Sequence, residues 1–277
     1  SVDLSTTILG MPTSVPFILS STGASRFFHT DGESAVARAA GAADVIYGAS
    51  SSSMTSLEDI ADTASGPKFF QVYVFKDRSI TDEYVTRCKA AGYQAMFLTV
   101  DCATAGNRER DLRNQLAIPP KPTLKVLWQL EQSPKWSFEY LRTPGWRFPN
   151  IEGYVDESTK KDFGSVAEWF AGKLDRRFTW DDAAELCRKW DGQFVIKGIT
   201  SIEDARVAAD IGASGIVLSN HCGRQLDHAP PAIEVLPEIL DAVGDRVEVL
   251  VDSGFRRGPD IIKALALGAR GCLIGQA

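Results

Sequence analysis

Four segments of the chain share one pattern, in which a glycine closes a helical stretch, a short turn follows, and an apolar run comes next. They are Ala40–Tyr47, Ala91–Leu98, Ile211–Leu218 and Leu267–Ile274. A glycine in the left-handed conformation commonly ends a helix, and a continuous apolar run is typical of a strand buried on both faces. The pattern therefore predicts alternating helices and strands, the arrangement that builds a parallel sheet.

Two helix starts agree with this pattern. Residues 200–203 (Thr-Ser-Ile-Glu) have the spacing of a capping box, in which the first and last side chains bond each other's backbone. Gly258, Pro259 and Asp260 place a proline where the first helical turn accepts one. We expect helices to begin at both places.

Counting the strands separates a barrel from an open sheet. The eight predicted strands are Phe17–Ser20, Val45–Ala49, Phe69–Val74, Ala95–Asp101, Phe194–Lys197, Gly215–Ser219, Val247–Asp252 and Gly271–Gly275. Eight parallel strands favour a (β/α)8 barrel, and no GxGxxG motif follows any of them to support a dinucleotide-binding sheet. We predict one barrel domain over residues 1–277, with a long insertion at about 102–180 after the fourth strand.

The predicted carboxyl ends of these strands are polar. The polar or small residues there are Ser20, Ser21, Thr22, Ser50, Gln71, Tyr73, Thr99, Asp101, Lys197, Ser219, His221, Asp252 and Gly275. One such group could be an isolated structural pair, but polar groups at all eight ends favour a functional site, because active sites of these barrels lie at this face.

The segment from Ser219 to Gln225 places a possible base and a cation within four residues, directly after a buried strand. His221 is the side-chain type best suited to move protons near neutral pH, and Arg224 could hold a carboxylate through two hydrogen bonds. The alternative is a capped loop with an incidental histidine.

Composition excludes several classes of protein. A net charge of −6 gives no reason to expect nucleic-acid binding. Five scattered cysteines without a CxxC pair argue against a disulfide framework or a structural zinc site, and fit a reducing compartment. The sequence has no signal-peptide pattern and no apolar run of membrane-spanning length, so we predict a cytoplasmic protein without a metal, expected to be a homo-oligomer.

The insertion has a local charge of opposite sign to the chain. Residues 121–150 hold five Lys or Arg against two Glu, interleaved with aromatic side chains such as Trp128, Trp136 and Phe138. Such a mixture suits peripheral contact with the inner face of a membrane through residues 120–150. An insertion that packs on its own barrel or on a neighbouring subunit explains it equally well.

Three motifs together resemble the FMN-dependent L-2-hydroxy acid oxidising enzymes, a family that includes glycolate oxidase, flavocytochrome b2 and mandelate dehydrogenase. They are residues 219–227 (SNHCGRQLD), 251–258 (VDSGFRRG) and 70–74 (FQVYV). The resemblance runs from Leu4 to the last residue in unbroken order. Residues 107–112 (NRERDL) and 133–137 (SPKWS) look closest to the mandelate dehydrogenase branch.

The resemblance implies catalytic roles. His221 would be the base, and Asp101 would stabilise its protonated form. The substrate carboxylate would be held by two arginines and a tyrosine: Arg108, Arg224 and Tyr73. Lys197 would lie beside the flavin and stabilise its reduced anionic form.

The resemblance also implies an FMN site. The residues that would contact the ring or ribityl chain are Ser21, Thr22, Gly23, Ser50, Gln71, Thr99, Lys197 and Ser219. Those at the ribityl and phosphate end would be Asp252, Ser253, Gly254, Phe255, Arg256, Gly275 and Gln276.

Several positions depart from the family pattern. Cys222 stands where the family has Gly, and Gln276 where it has an Arg at the phosphate. An active-site Tyr precedes the first barrel strand in the family and a helix follows the eighth, so we expect a chain lacking both segments. A flavin site is therefore better supported than activity of this polypeptide alone.

Three functions remain open on the sequence. The first is FMN-dependent oxidation of an L-2-hydroxy acid; the second is a non-redox FMN barrel of the isomerase type; the third is a non-catalytic barrel fragment that binds flavin weakly. Ser52 stands where glycolate oxidase has a bulky Trp, which leaves room for a larger, mandelate-like aromatic substrate. Gly23 beside the flavin favours an acceptor other than oxygen.

Overall fold

The protein is a closed parallel barrel. A computed structural model describes residues 2–102, 106, 107, 109, 113, 128, 130–143, 147–157, 159 and 163–275. Its barrel strands are β3 (Phe17–Leu19), β4 (Tyr47–Ser50), β5 (Lys68–Val72), β6 (Ala95–Thr99), β7 (Gln193–Ile199), β8 (Gly215–Leu218), β9 (Glu248–Val251) and β10 (Gly271–Ile274). Each pairs in parallel with its sequence neighbours, and β10 returns to β3 to close the ring. The predicted (β/α)8 barrel is confirmed, with strand ends shifted by at most two residues.

Helices follow the strands and cover the outside of the ring. They are α1 (Gly32–Ala42), α2 (Leu57–Thr63), α3 (Arg78–Ala90), α4 (Pro134–Arg142), α5 (Phe163–Lys173), α6 (Trp180–Trp190), α7 (Ile202–Asp210), α8 (Ala232–Val243) and α9 (Gly258–Ala266). Apolar side chains between strands and helices form an outer core, whereas those inside the ring form a separate inner cluster.

The glycines of the repeat behave as predicted in three of four segments. Gly92, Gly212 and Gly268 lie just beyond helix ends with φ of 73°, 89° and 106°. Gly41 does not, since α1 continues through it and Asp44 takes the left-handed position at φ 53°. A Cβ on Gly41 would lie 2.3 Å from the Ser65 hydroxyl, so close packing accounts for this glycine.

One predicted helix start is confirmed and the other is displaced by a residue. Helix α9 begins at Gly258 with Pro259 in its first turn. At α7 the cap is Ser201, whose hydroxyl accepts the backbone N–H of Asp204 at 3.1 Å, and not Thr200 with Glu203. Ser201 has the extended backbone that a cap residue requires, so the acidic partner moves one position along.

A short hairpin that the sequence reasoning missed closes the amino-terminal end of the barrel. Strands β1 (Thr6–Ile8) and β2 (Met11–Thr13) pair antiparallel, and their buried side chains join the inner cluster. A Cβ on Gly271 would lie 2.6 Å from Ile8, which shows how closely the hairpin enters the ring. The Leu9 backbone N–H also donates to the Glu248 carboxylate at 2.8 Å.

The described end of the insertion is anchored to the barrel. The Asn150 side chain is buried, accepts the Leu57 backbone N–H at 2.9 Å and donates to the Thr55 carbonyl at 3.1 Å. Farther along, Leu174 forms a bridge with Phe75 at the end of α5. The insertion thus packs on its own barrel at these points.

Candidate active site at the carboxyl ends of the strands

Three neighbouring strand ends are joined by a buried chain of hydrogen bonds. The Ser50 hydroxyl donates to the side-chain oxygen Oε1 of Gln71 at 2.9 Å, and the side-chain Nε2 of Gln71 donates to the Thr99 hydroxyl at 2.9 Å. These side chains are at most 7% exposed although they point into an apolar ring. Mutual hydrogen bonding offsets the cost of burying them and fixes their orientation.

The next three strand ends hold a buried ion pair. The Lys197 ammonium lies 2.8 Å from the Asp252 carboxylate and donates to the Ser219 hydroxyl at 2.9 Å. Burial lowers the pKa of Lys197, but the charges of Asp252 and Asp101 outweigh it and hold the pKa above its usual value. Burial raises the pKa of Asp252, but the Lys197 charge outweighs it, so that carboxyl pKa lies below its usual range. Lys197 is therefore a fixed cation at the barrel mouth.

The loops after β3 and β4 form the remaining side of the mouth. The Ala24 backbone N–H donates to the Ser52 carbonyl at 3.1 Å, and a Cβ on Gly23 would lie 2.2 Å from the Ser52 hydroxyl. The fully buried Glu33 carboxylate accepts the backbone N–H groups of Ser25 and Met54, both at 3.0 Å, and thereby binds the two loops together. Ser21 and Thr22 belong to the loop after β3. Gly275, directly after β10, lies beside this loop, because a Cβ there would be 3.5 Å from Ser20 Cβ and 3.9 Å from the Thr22 hydroxyl.

His221 and Asp101, 120 residues apart in sequence, meet at this mouth. The His221 Nδ1 lies 2.5 Å from Asp101 Oδ2, and the His221 backbone N–H donates to the Ser219 hydroxyl at 3.2 Å. Gly198, with φ of 110°, makes room for the acid, because a Cβ there would lie 2.7 Å from the Asp101 carboxyl carbon. The pairing orients the imidazole and leaves its Nε2 for other partners.

The backbone that carries His221 is strained. His221, Cys222 and Gly223 have φ of 50°, 57° and 70°, a region that costs non-glycine residues about 1–2 kcal/mol each. Cys222, the departure from the family's glycine, thus occupies a position that favours glycine. The Cys222 backbone N–H donates to the Ser253 hydroxyl at 3.0 Å, and that hydroxyl donates to Asp252 at 2.8 Å. The histidine loop is therefore tied to the partner of Lys197.

Two further predicted residues lie beside this pair. Tyr73 follows β5 and packs edge-on against Phe170, with ring centroids 6.0 Å apart. Its hydroxyl lies 4.0 Å from the thiol of Cys102. Arg224 follows the histidine loop, and its carbonyl packs closely against Gly106.

The predicted phosphate-end residues occupy varied positions. Gly254 is exposed with φ of 85°, and Arg256 is exposed with its backbone N–H bonded to Asp260 at 3.1 Å. The side chain of Phe255 is buried in the outer core, which leaves its main chain for ligand contact. Arg108 and Gln276 lie outside the described residues.

The sequence reasoning missed the position of Cys102. Its thiol lies 3.7 Å from Asp101 Oδ1 and 3.8 Å from His221 Nε2. Burial, with the adjacent Asp101 charge, raises the pKa of the Cys102 thiol to about 12, so the thiol is protonated near neutral pH. Its place directly after Asp101 was a usable signal, because consecutive residues past a strand end enter the same mouth.

Comparison with known families places the whole chain in one group. A family model described as FMN-dependent dehydrogenase matches residues 1–277. A putative L-lactate dehydrogenase of Mycobacterium tuberculosis is 41% identical over 271 residues, which cover 98% of this chain and 64% of that protein. Glycolate oxidase of Spinacia oleracea is 39% identical over 277 residues, which cover all of this chain and 69% of the relative.

Solved structures agree with the sequence relatives. The monotopic membrane protein (S)-mandelate dehydrogenase superposes with a TM-score of 0.92 at 37% identity, over 99% of this chain and 71% of its own. The chain thus spans about two thirds of the length of the proteins it matches. Among the described residues, no helix has the length and apolar character needed to cross a bilayer.

Proposed function

The chain belongs to the FMN-dependent dehydrogenase family, and we propose that it oxidises an L-2-hydroxy acid to the 2-keto acid. The observation that carries this proposal is the Asp101–His221 pair beside the buried Lys197 cation at one barrel mouth. Conversion of a hydroxy acid into a keto acid removes two electrons and two protons, and a base, its acidic partner and a fixed positive charge are groups suited to that reaction. Because the chain spans about two thirds of its relatives, the activity is proposed for the whole protein.

The residues present fit FMN. Polar side chains line one side of the mouth as an ordered, buried set of donors and acceptors, suited to the edge of a planar heterocycle. At the other side, a Cβ on Gly254 would meet no atom within 4 Å, which leaves space for a bulky anionic group at the backbone. We assign the ring contacts to the mouth residues and the phosphate contacts to the loop 252–256 with Gly275.

Bound FMN would supply the acceptor for the two electrons and one of the two protons that leave the substrate. His221 would accept one substrate proton at Nε2, since Nδ1 is engaged by Asp101. Asp101 would stabilise the imidazolium that results, as a carboxylate beside a histidine does. Lys197 would hold negative charge that develops at the neighbouring edge of the cofactor.

The substrate carboxylate would bind arginine. Arg224 lies three residues after His221, and Arg108 of the adjoining loop is its proposed companion. An arginine fork holds a carboxylate through two parallel charge-assisted bonds, which fixes the substrate relative to the base. Tyr73 would donate a hydrogen bond to the same substrate.

We propose an aromatic, mandelate-like substrate. Ser52 is small and partly buried beside Gly23, so this side of the mouth has room for a ring. Several similar structures are mandelate dehydrogenase or mandelate oxidase, which supports the same choice.

Anaerobic flavin bleaching tests the reaction. The purified protein is expected to show a flavin spectrum that (S)-mandelate bleaches faster than glycolate, whereas (R)-mandelate leaves it unchanged. A flavin spectrum that no L-2-hydroxy acid bleaches would favour the non-redox isomerase type. Protein without a flavin spectrum, even after incubation with FMN, would favour a non-catalytic barrel.

A second proposal concerns peripheral membrane contact. Helix α4 exposes Phe138 and Leu141 at 59% and 82%, and Phe28 nearby in the loop before α1 is 77% exposed. In contrast, Trp136 of the same helix donates its indole N–H to the Phe27 carbonyl at 2.9 Å, so part of the insertion packs on the barrel. Exposed apolar side chains flanked by Lys135 and Arg142 suit an anionic headgroup layer.

Co-sedimentation with anionic vesicles tests the membrane proposal. We expect pelleting at low salt that high salt partly reverses, and that the double variant Phe138→Ser/Leu141→Ser loses. Ile262→Ser, at a 65% exposed site on α9, is the matched control and should pellet like the parent. Point variants are preferable to a deletion that reaches Asn150, because its side chain holds the α2 loop. Equal pelleting of both variants would contradict the proposal.

A further inference from the structure

A fully buried carboxylate lies at the start of helix α1. Glu33 is the second residue of α1 and has no exposed surface. Its Oε1 accepts the backbone N–H groups of Ser25 and Met54, both at 3.0 Å, and its Oε2 accepts the Thr55 hydroxyl at 3.0 Å. All three partners donate, which suits the ionised carboxyl, and the amino terminus of α1 favours the same charge.

The two backbone partners of Glu33 belong to different sides of the barrel mouth. Ser25 follows β3, two residues past Gly23, and Met54 follows β4, two residues past Ser52. One carboxylate oxygen therefore joins the two loops. Because a Cβ on Gly23 would overlap the Ser52 hydroxyl, these loops approach each other as closely as a glycine permits.

Ser52 connects this junction to the buried polar groups at the strand ends. Its hydroxyl lies 3.0 Å from the Ser50 hydroxyl, and its backbone N–H donates to the same oxygen at 3.2 Å. The hydroxyl of Ser53 accepts the Ser50 backbone N–H at 3.1 Å, and Ser50 in turn bonds to Gln71. A displacement of the loop at Met54 would therefore move side chains that we assign to the flavin ring.

We propose that Glu33 is a positioning residue of the FMN site, and that its Oε1 sets the spacing between the loops after β3 and β4. Binding groups keep a productive geometry only when a surrounding shell of hydrogen bonds fixes them. The position of this one acceptor atom matters, whereas its negative charge is dispensable. The role rests on the proposed FMN site and not on the oxidation of a hydroxy acid.

Two conservative substitutions separate the position of the acceptor from its charge. Glu33→Gln loses the charge but keeps an oxygen for Ser25 and Met54, and its amide can donate to the Thr55 hydroxyl oxygen. Glu33→Asp keeps the charge but is one carbon shorter, so its oxygen reaches both loops only if they move. The proposal thus expects the neutral variant to resemble the parent and the charged one to differ.

Dilution of the flavin-loaded protein, followed by the fluorescence of released FMN, measures the affinity. We expect Glu33→Asp to weaken FMN binding at least about tenfold, comparable to the loss of one hydrogen bond. Glu33→Gln should bind FMN like the parent. Glu234→Asp is the matched control, because Glu234 lies in the first turn of α8 and is exposed. Ile8→Ala, which is destabilised at the opposite end of the barrel, controls for a general loss of stability and should keep the parental affinity.

Hydrogen exchange reports on the two loops without reference to FMN binding. The backbone amides of Ser25 and Met54 donate to Glu33, so they should exchange faster in Glu33→Asp and at the parental rate in Glu33→Gln. Circular dichroism shows whether each variant is folded. If Glu33→Asp does not fold, Glu33→Gln alone decides, because weakened FMN binding in that variant overturns the proposal.

The outcomes separate the positioning role from the cofactor site and from the reaction. Parental FMN affinity in Glu33→Asp, an equal loss in Glu33→Gln, or an equal loss in Ile8→Ala overturns the role. If the parent binds no FMN, the proposed FMN site fails and the role fails with it, while the exchange rates still show whether Glu33 joins the loops. If the parent binds FMN that no L-2-hydroxy acid bleaches, only the proposed reaction fails.

Discussion

The two ends of this barrel are built from the same eight strands and have opposite character. At the amino-terminal end, the hairpin side chains Ile8, Leu9 and Met11 fill the ring together with apolar strand residues. At the carboxyl-terminal end, the ring holds hydrogen-bonded polar groups and the Lys197–Asp252 pair, both buried. One end is closed by packing, and the other is kept open and charged.

The end of the barrel that is packed for stability therefore lies opposite the end that carries the candidate active site. Apolar burial stabilises in proportion to area and is insensitive to direction, so the closed end needs only close fit. Buried polar groups are costly unless paired, so the open end must fix the position of each one. Substitutions at the two ends should therefore change different measured quantities.

The largest expected effect is on the rate of flavin reduction at the open end. His221→Gln removes the proposed base and should slow anaerobic reduction by about 10²–10⁴-fold. The free energy of unfolding should hardly change, because the side chain is partly exposed. His228→Gln, at a fully exposed histidine, is the control. Reduction at the parental rate in His221→Gln would remove His221 from the mechanism.

At the closed end the expected effect is on stability. Ile8→Ala leaves a cavity inside the ring and should lower the free energy of unfolding by about 2–5 kcal/mol, measured by urea denaturation. FMN affinity of the protein that remains folded should not change. Ile262→Ala removes the same atoms at an exposed site and should cost little. A loss of FMN affinity in Ile8→Ala without a loss of stability would contradict the assignment of stability to one end of the barrel and FMN binding to the other.

Substitution of two glycines tests whether the position of Asp101 affects the rate of flavin reduction separately from stability. Gly198→Ala and Gly212→Ala both place a Cβ at positive φ, which should cost about 1–2 kcal/mol in each. Only the Cβ at residue 198 would meet Asp101, whereas residue 212 has open space. Slower flavin reduction is thus expected in Gly198→Ala alone. Equal rates in the two variants would show that the position of Asp101 is not critical.

The smallest expected effect is on the pH dependence of stability. The pKa of Asp252 is lowered from 3.8 on folding, so its contribution is present above pH 3.8 and is lost as pH falls through the folded value. The pKa of Lys197 is raised from 10.5, so its contribution is present below pH 10.5 and is lost as pH rises through the folded value. The free energy of unfolding, measured by urea denaturation from about pH 5 downward, should fall less steeply with falling pH in Lys197→Met/Asp252→Asn. An unchanged dependence on pH would show that the Lys197–Asp252 pair does not contribute to the pH dependence of stability.

Much of the barrel was predictable because its signals are local. Glycine at φ of 73°, 89° and 106° after a helix, followed by an apolar run, encodes three of the αβ junctions within about eight residues each. The hairpin was missed because its turn is Leu9–Gly10, with φ of 51° and 72°, where Asn–Gly would be the recognisable pair. Its strands of three residues are also too short for an alternating pattern to stand out.

The residues alone predicted polar side chains at the strand ends, and only the family resemblance implied one of their pairings, that of Asp101 with His221. The polar residues at the predicted strand ends indicated Gln71, Lys197 and Asp252, because polar and charged side chains are rarely buried unless they are paired. Which groups pair depends on the order of strands around the ring and on loop geometry. The link from Asp252 through Ser253 to the histidine loop depends on Ser253 adopting φ of 75°, which no local rule predicts for serine.

The hairpin has a consequence for how the protein is made. Leu9 and its partner Glu248 are separated by 239 residues, so the ribosome adds the second roughly 12–48 s after the first at about 5–20 residues per second. Until then, the apolar side chains of the hairpin have no complete ring to enter. The hairpin is synthesised before the barrel strands and is thus among the last segments to reach its native contacts, which makes its entry into the ring a late step of folding.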